Sequence, residues 1–368
     1  MRNVQMINPR PYADLRATSF LPFTGKISGT AVWSQAISPE LGGRVPTHLA
    51  ICGETLIVSY GDHIEARNRN EGIRVWGSDF SSGGSFDMTP NGISSVNAAN
   101  FYSVLGFDGV FGEGLRMPYL VNNPSLDFVE RDSRELRLVY HSKGSPATDR
   151  GMETIPAQMV YSRYREEDQR FIWTFQKEGF CQAVRISSDL KQVFMASRQN
   201  IFSFPFDANS EAQVRTLEMP ELMTFALDHE GSLLVVQKSG EGLRLACLDL
   251  SGQLKWDYAQ DVPGRIPHPP ASAPGGRVYL MIDSVLHYFV GGKLVWEFSL
   301  PLPETGIWFS VLADHTILAG VSHLLMQISE DGKALFNKPI DTPITCRPIM
   351  DEKGRVYIAG PGGIFCLK

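Results

Sequence analysis

No window of the 368-residue sequence holds the roughly 18 consecutive apolar residues that a membrane-spanning helix needs. The start, MRNVQMINPRPYADLRATSFLPF, is broken by Asn, Pro, Asp and Arg where a signal peptide would carry an unbroken apolar run. A soluble, cytoplasmic protein without membrane association is the expectation. Cysteine is scarce. Cys52, Cys181, Cys247, Cys346 and Cys366 are odd in number, widely spaced and set in apolar contexts such as FCQAV and LACLDL, so they read as reduced core residues. Positive charge is in deficit, with 34 Lys and Arg against 40 Asp and Glu, a net charge of -6. That balance argues against a nucleic-acid partner, because phosphate-backbone binding rests on a basic surface.

Chemical motifs are missing too. The sequence has no HExxH, GxSxG, CxxC or Walker loop. GFDGVFGEG (106–114) and GPGG (360–363) are glycine-rich, but a phosphate cradle needs a following helix, and both sit between strands as turns. The eight histidines, His48, His63, His141, His229, His268, His287, His315 and His323, include no i, i+4 pair, and no acidic run has the spacing of a calcium loop. No catalytic residue, cofactor or metal is expected, and an enzyme is the less favoured class.

What the chain does have is turns and a repeat. Hydrophobic residues at 43% supply a core, and 34 Gly and 23 Pro break it into short runs. RLACLDLSGQLKW (244–256) reads as an alternating strand, an Asp–Ser–Gly turn and a second strand ending in Trp256. The pattern recurs in IEARNRNEGIRVW (64–76), LHYFVGGKLVW (286–296) and LMQISEDGKALF (325–336), each preceded by another turn-bounded apolar run. Trp256 to Trp296 and Trp296 to Phe336 are both 40 residues, and Trp33 to Trp76 is 43. Periods of this length in antiparallel meanders point to an all-β propeller of four-stranded blades. Eight units are expected, with first strands near Arg44, Asn91, Met117, Phe180, Glu221, Gly264, Gly306 and Pro343; seven is the alternative, since the second and third units are irregular. The last unit stops one strand short at Lys368, and GTAVWSQAI (29–37) has the character of that strand, so residues 29–37 are expected to complete the last blade and close the ring. An open arrangement is the alternative. Residues 1–28 then form a leader, 29–368 one propeller domain, and 142–156 a polar loop insertion. Trp33, Trp76, Trp173, Trp256 and Trp296 read as structural, filling the wedge between blades, with Phe336 as a substitute.

The repeat at CLDLSGQLKW, GGRVYLMIDSVLHYFVGGKLVW and KGRVYIAGPGGIFCLK resembles the quinoprotein-like (pyrroloquinoline quinone-like) repeat family. The resemblance implies an eight-bladed propeller that closes with N-terminal sequence. The family includes dehydrogenases, outer-membrane assembly lipoproteins, sensor domains and cytosolic scaffolds, so it implies no single activity. The dehydrogenases use the quinone, Ca²⁺, an Asp base and, in many members, a Cys-Cys disulfide; no Cys-Cys occurs here. Among soluble bacterial members the chain resembles the propeller component of ternary systems with an AAA-type ATPase and a von Willebrand A domain.

Propellers bind where loops and first strands converge. Aligning the units brings His48, His268, Arg347, Gln182, Arg185 and Trp308 into register near the expected channel mouth, a set suited to an acidic or aromatic group. The competing reading is that these groups bond first-strand backbone. VERDSRELR (129–137) and RYREEDQR (163–170) mix both signs and read as solvated edges or a partner surface. The expectation is a non-catalytic, monomeric scaffold that binds a protein or peptide on an end face or rim. The alternative is a small-molecule or sugar sensor, or an enzyme, with its site at the channel mouth.

Overall fold

Alternating apolar residues between Gly- and Asp-centred turns give strands, and almost nothing else forms: the described residues hold two 3-10 turns and no α-helix. A computed structural model of the chain describes residues 6–7, 20–79, 86–89, 92–96, 101–112, 114–116, 124–131, 135–142, 157–179, 181–187, 189, 191–261, 264–266, 268–301 and 306–368. No helix among them is long and apolar enough to cross a membrane. Eight four-stranded antiparallel sheets follow one another along the chain, here numbered 1 to 8: residues 48–79, 86–116, 124–178, 183–218, 222–260, 271–299, 307–339, and 349–367 with 31–35.

Two compact units divide the chain. The first comprises 1–60, 64–77 and 224–368, and the second 61–63 and 78–223. Sheet 8 takes its fourth strand from the N-terminal segment: Ala31–Gln35 pairs antiparallel with Gly363–Leu367, with Trp33 opposite Cys366. Sheet 2 begins one hairpin earlier than expected. Its first strand is Phe86–Thr89, and Gly92–Val96, read as the first, is the second. The physical reason is the serine- and glycine-rich approach GSDFSSGGS, which reads as loop and hides a four-residue strand. Sheet 3 starts at Pro124–Arg131; the expected start at Met117 and the body of the loop insertion, 143–156, lie outside the described residues.

The cores lie between sheets. In the first unit one cluster joins Leu49, Leu56 and Val58 of sheet 1 to Leu318 of sheet 7 and to Ile358 and Ile364 of sheet 8, and another joins Tyr279 and Leu286 of sheet 6 to Phe309 and Ile317 of sheet 7. In the second unit Tyr102 packs on Leu138 and Tyr140, and Trp173 meets Phe204 edge-on with ring centroids 5.6 Å apart. All five cysteines are buried and unbridged. Burial pushes the thiols of Cys52, Cys247 and Cys366 up to about 11 and Cys346 to about 12, which keeps them protonated and unreactive.

Consecutive sheets of the first unit are joined by a repeated aromatic contact. The Trp33 indole covers Gly72 in the last hairpin of sheet 1 and donates from Nε1 to Arg69 O at 3.1 Å. Trp296 covers Gly332 and donates to Glu330 O at 2.7 Å, Trp256 covers Gly292, and the Phe336 ring covers Gly29. The three hairpin glycines have left-handed φ, so glycine is required twice, for the turn and for the ring. Trp76 is partly buried on the fourth strand of sheet 1.

The leader adds to the sheets. Phe20–Leu21 pairs parallel with Val311–Leu312 on the first strand of sheet 7, and Met6–Ile7 pairs antiparallel with Ile51–Cys52 on the first strand of sheet 1. Between Leu21 and the fourth strand of sheet 8 the backbone is held at each step. Phe23 O accepts from Ala313 N at 2.9 Å, and the buried Gln327 amide donates to Gly25 O at 2.7 Å and accepts from Ile27 N at 3.3 Å. Ser28 and Thr30 then donate to Lys368 O at 3.0 and 3.1 Å. One buried glutamine thus satisfies backbone groups that would otherwise be stranded.

Candidate functional site

Prolines shape the first strands of sheets 6 and 8. The segment Arg265-Ile266-Pro267-His268-Pro269-Pro270 leads into a strand of three residues, Ala271–Ala273, and Arg347-Pro348 leads into one of two, Ile349–Met350. A proline cannot donate to a ladder, so pairing begins only beyond it and the approach remains open to side-chain bonds from the next sheet. Ser310 Oγ of sheet 7 donates to Pro348 O at 3.1 Å, and His268 Nε2 donates to Ile307 O.

Four of the six expected binding residues belong to the first unit. His48, His268, Trp308 and Arg347 stand on, or just ahead of, the first strands of sheets 1, 6, 7 and 8; His268 meets Trp308, and the Arg347 charge acts on His268. The His268 ring lies against the Trp308 indole with centroids 4.8 Å apart and planes at 36°, and meets Phe309 edge-on at 6.3 Å. Gln182 and Arg185 belong to the second unit, where Gln182 Nε2 donates to Leu222 O at 2.8 Å and Arg185 Nη1 to Val184 O at 2.6 Å. His48, His268, Arg347 and Arg185 are 8, 5, 4 and 8% exposed, while Gln182 and Trp308 are partly buried. The side chains that would have to meet a ligand are therefore largely enclosed, and those with resolved bonds direct them to backbone carbonyls.

Burial drives the His268 imidazole down to about 4; the bond to Ile307 O resists this, and Arg347 and Arg265 add to the fall. The neutral ring is the native form. An unfolded histidine titrates near 6.5, so between pH 6.5 and about 4 the unfolded chain takes up a proton that the folded one refuses. Stability from this group is complete above pH 6.5 and is lost as pH falls to about 4, a total of about 3 kcal/mol. His268→Gln, which keeps a donor for Ile307 O, is expected to flatten the pH dependence of the urea midpoint in that window. An unchanged slope would mean that His268 does not carry it.

A second surface was not visible from the motifs. Among the described residues, the residue just before the fourth-strand aromatic is apolar and exposed in sheets 8, 1, 6 and 7: Val32, Val75, Val295 and Leu335 are 45, 66, 55 and 53% exposed. Ile73, Leu254 and Leu294 are exposed around the same hairpins. The signal was present in the repeat as Val-Trp, Val-Trp, Val-Trp and Leu-Phe, where alternation calls for a polar residue on the water side.

No family model and no curated protein matches the sequence. Solved structures do. The fold is similar to that of the quinohemoprotein alcohol dehydrogenase ADHIIG from Pseudomonas putida HK5, with a TM-score of 0.65 and 10% identity over 96% of this chain and 75% of that one. It is also similar to BamB from Moraxella catarrhalis, with a TM-score of 0.54 and 11% identity over 92% and 99%. Among the described residues no three His, Cys, Asp or Glu side chains gather as a metal site, and the sequence has no adjacent cysteine pair. What the likeness shows is an all-β, propeller-like fold.

Proposed function

We propose that the protein is a non-catalytic interaction scaffold, cytoplasmic and monomeric, in which residues 29–368 act as one propeller domain and 1–28 as its leader. The observation that carries this reading is the apolar series Val32, Val75, Val295 and Leu335 on neighbouring outer strands. Scattered exposed apolar residues are ordinary, but the same exposed position repeated from sheet to sheet is what a protein-binding surface offers. The enclosed state of His48, His268 and Arg347 weighs the same way, because a sensor or enzyme at the first strands would need those groups accessible.

The test is affinity capture from native cytosol, then reconstitution with the purified partner. Val32, Val75, Val295 and Leu335 would be changed together to Ser; exposed substitutions of this kind cost within about 0.5 kcal/mol each. The expected result is one stoichiometric protein partner whose affinity falls at least tenfold in the variant. Retention at full affinity would remove the rim as the interface, and a wild-type chain that captures no protein would overturn the scaffold reading.

A further inference from the structure

The mixed-charge hairpin 163–170 sorts its signs when it folds. Strand Gln158–Arg165 pairs with Arg170–Glu178, placing Arg165 opposite Arg170, and a bulge after Arg163 sets Tyr164 opposite Phe171 and leaves Ile172 as the extra residue. Arg163 and Arg165 are two apart and share a face; the cross-strand partner Arg170 shares it too. These three arginines, with Phe171, Ile172 and Asn209, line a cavity of about 410 Å³ in the second unit, and among the described residues no carboxylate lines it.

Two carboxylates outside the lining pair with its arginines. Glu135 holds Arg163 in a two-pronged pair, 3.0 Å from Nε and 2.8 Å from Nη2, and also takes Arg137 at 3.2 Å. Arg163 Nη1 donates to Ala208 O at 2.8 Å and to Asp207 O, so that guanidinium is fully engaged and serves as a fixed charge. Arg165 Nη1 and Arg170 Nε share a single oxygen, Asp168 Oδ2, at 3.0 and 3.2 Å, and both residues line the cavity. The three guanidinium groups of the lining pair with two carboxylates, Glu135 and Asp168, so the lining itself carries one positive charge in excess of its paired acids. Glu166 and Glu167 sit on the turn, outside the lining.

We infer that this cavity is a binding site for a phosphoryl dianion carried on a peptide side chain. A phosphate ester bears about −1.5 to −2 charge at neutral pH and three acceptor oxygens, complementary to the planar guanidinium forks of Arg165 and Arg170. Phe171 and Ile172 give an apolar wall for the stem of the phosphorylated residue, and the volume exceeds that of phosphate alone. This deepens the scaffold reading and rests on it, since the phosphate arrives on a protein.

The experiment is fluorescence polarisation on the full chain with a neutral labelled peptide bearing one phosphoserine, its unphosphorylated form, its glutamate form, and inorganic phosphate as competitor. The phosphopeptide is expected to bind at least tenfold more tightly than the unphosphorylated form, to be displaced by inorganic phosphate, and to lose at least tenfold in Arg165→Ala/Arg170→Ala, a pair exposed enough to leave folding intact. Equal binding of the two peptides, or full binding by the double variant, would overturn the site. Phosphate binding with no gain from the peptide would reject the peptide as its source. Loss of the site with partner capture unchanged would leave the scaffold reading standing, whereas failure of capture alone would not touch the phosphopeptide result.

Discussion

Asp351→Ala is expected to lower stability by about 3–5 kcal/mol, the usual cost of leaving one member of a buried ion pair behind. Asp351 is fully buried in the first hairpin of sheet 8. Its Oδ1 accepts the amides of Lys353 and Arg355, both at 2.9 Å, and its Oδ2 accepts Arg355 Nε at 2.8 Å and the Tyr357 hydroxyl at 2.9 Å. Burial raises its pKa, but the Arg355 amide and guanidinium and the Tyr357 hydroxyl outweigh it, so the net shift is downward. The contribution is present above the ordinary carboxylate range and is lost as pH falls through the lowered native value, which places it below the His268 window. Asp351→Asn, which keeps an acceptor for the two amides, should cost clearly less. Equal losses in urea unfolding of the two variants would show that the charge, and not the turn, is what matters.

The second large effect concerns the aromatic contact between sheets 8 and 1. A Cβ at residue 72 would lie 2.6 Å from the Trp33 ring, on a backbone with φ of +74°. Gly72→Ala therefore carries the left-handed penalty of about 1–2 kcal/mol and must also displace the indole, for a total of about 2–5 kcal/mol. A double-mutant cycle separates the two. In a Trp33→Ala background the same change is expected to cost only the backbone part, so the substitutions are strongly non-additive. Additive urea-unfolding losses would mean that the ring is not what residue 72 meets.

Much of the fold was legible because repeat and turn chemistry coincide. The Asp-x-Ser-Gly turn at 249–252 folds as its spacing implies, with Asp249 Oδ1 accepting the amides of Ser251 and Gln253. The strand 29–37 was readable as the missing member of sheet 8 because Trp33 repeats the outer-strand pattern. Sheet 2 was misplaced where the local signal is weak: Phe86–Thr89 has four residues behind a serine–glycine loop. The strands of the leader were not legible, since Phe20–Leu21 and Met6–Ile7 are two residues each and owe their pairing to edges far along the chain. The expected site set was chosen by register, and register says which residues face the same way, not which remain accessible. His268 and Arg347 illustrate this: both align with the others, and the packing around them takes them out of solvent. In the 163–170 hairpin the reverse held, for a sequence of alternating signs is neutral on average, and only the bulge and cross-strand register separate the arginines from the acids.

The pairing of Ala31–Gln35 with Gly363–Leu367 also has a meaning in time. A ribosome makes the first of these strands more than 300 residues before the second, so the outermost strand of the last sheet is the first synthesised and the last to find its place. Closing a loop of that length costs about 5 kcal/mol of chain entropy relative to the shortest loops, and until Leu367 emerges Trp33 lacks its ladder partner Cys366. Sheet 8 thus stays incomplete until residues 363–367 have been made, and a cut that removes them leaves Ala31–Gln35 without its ladder.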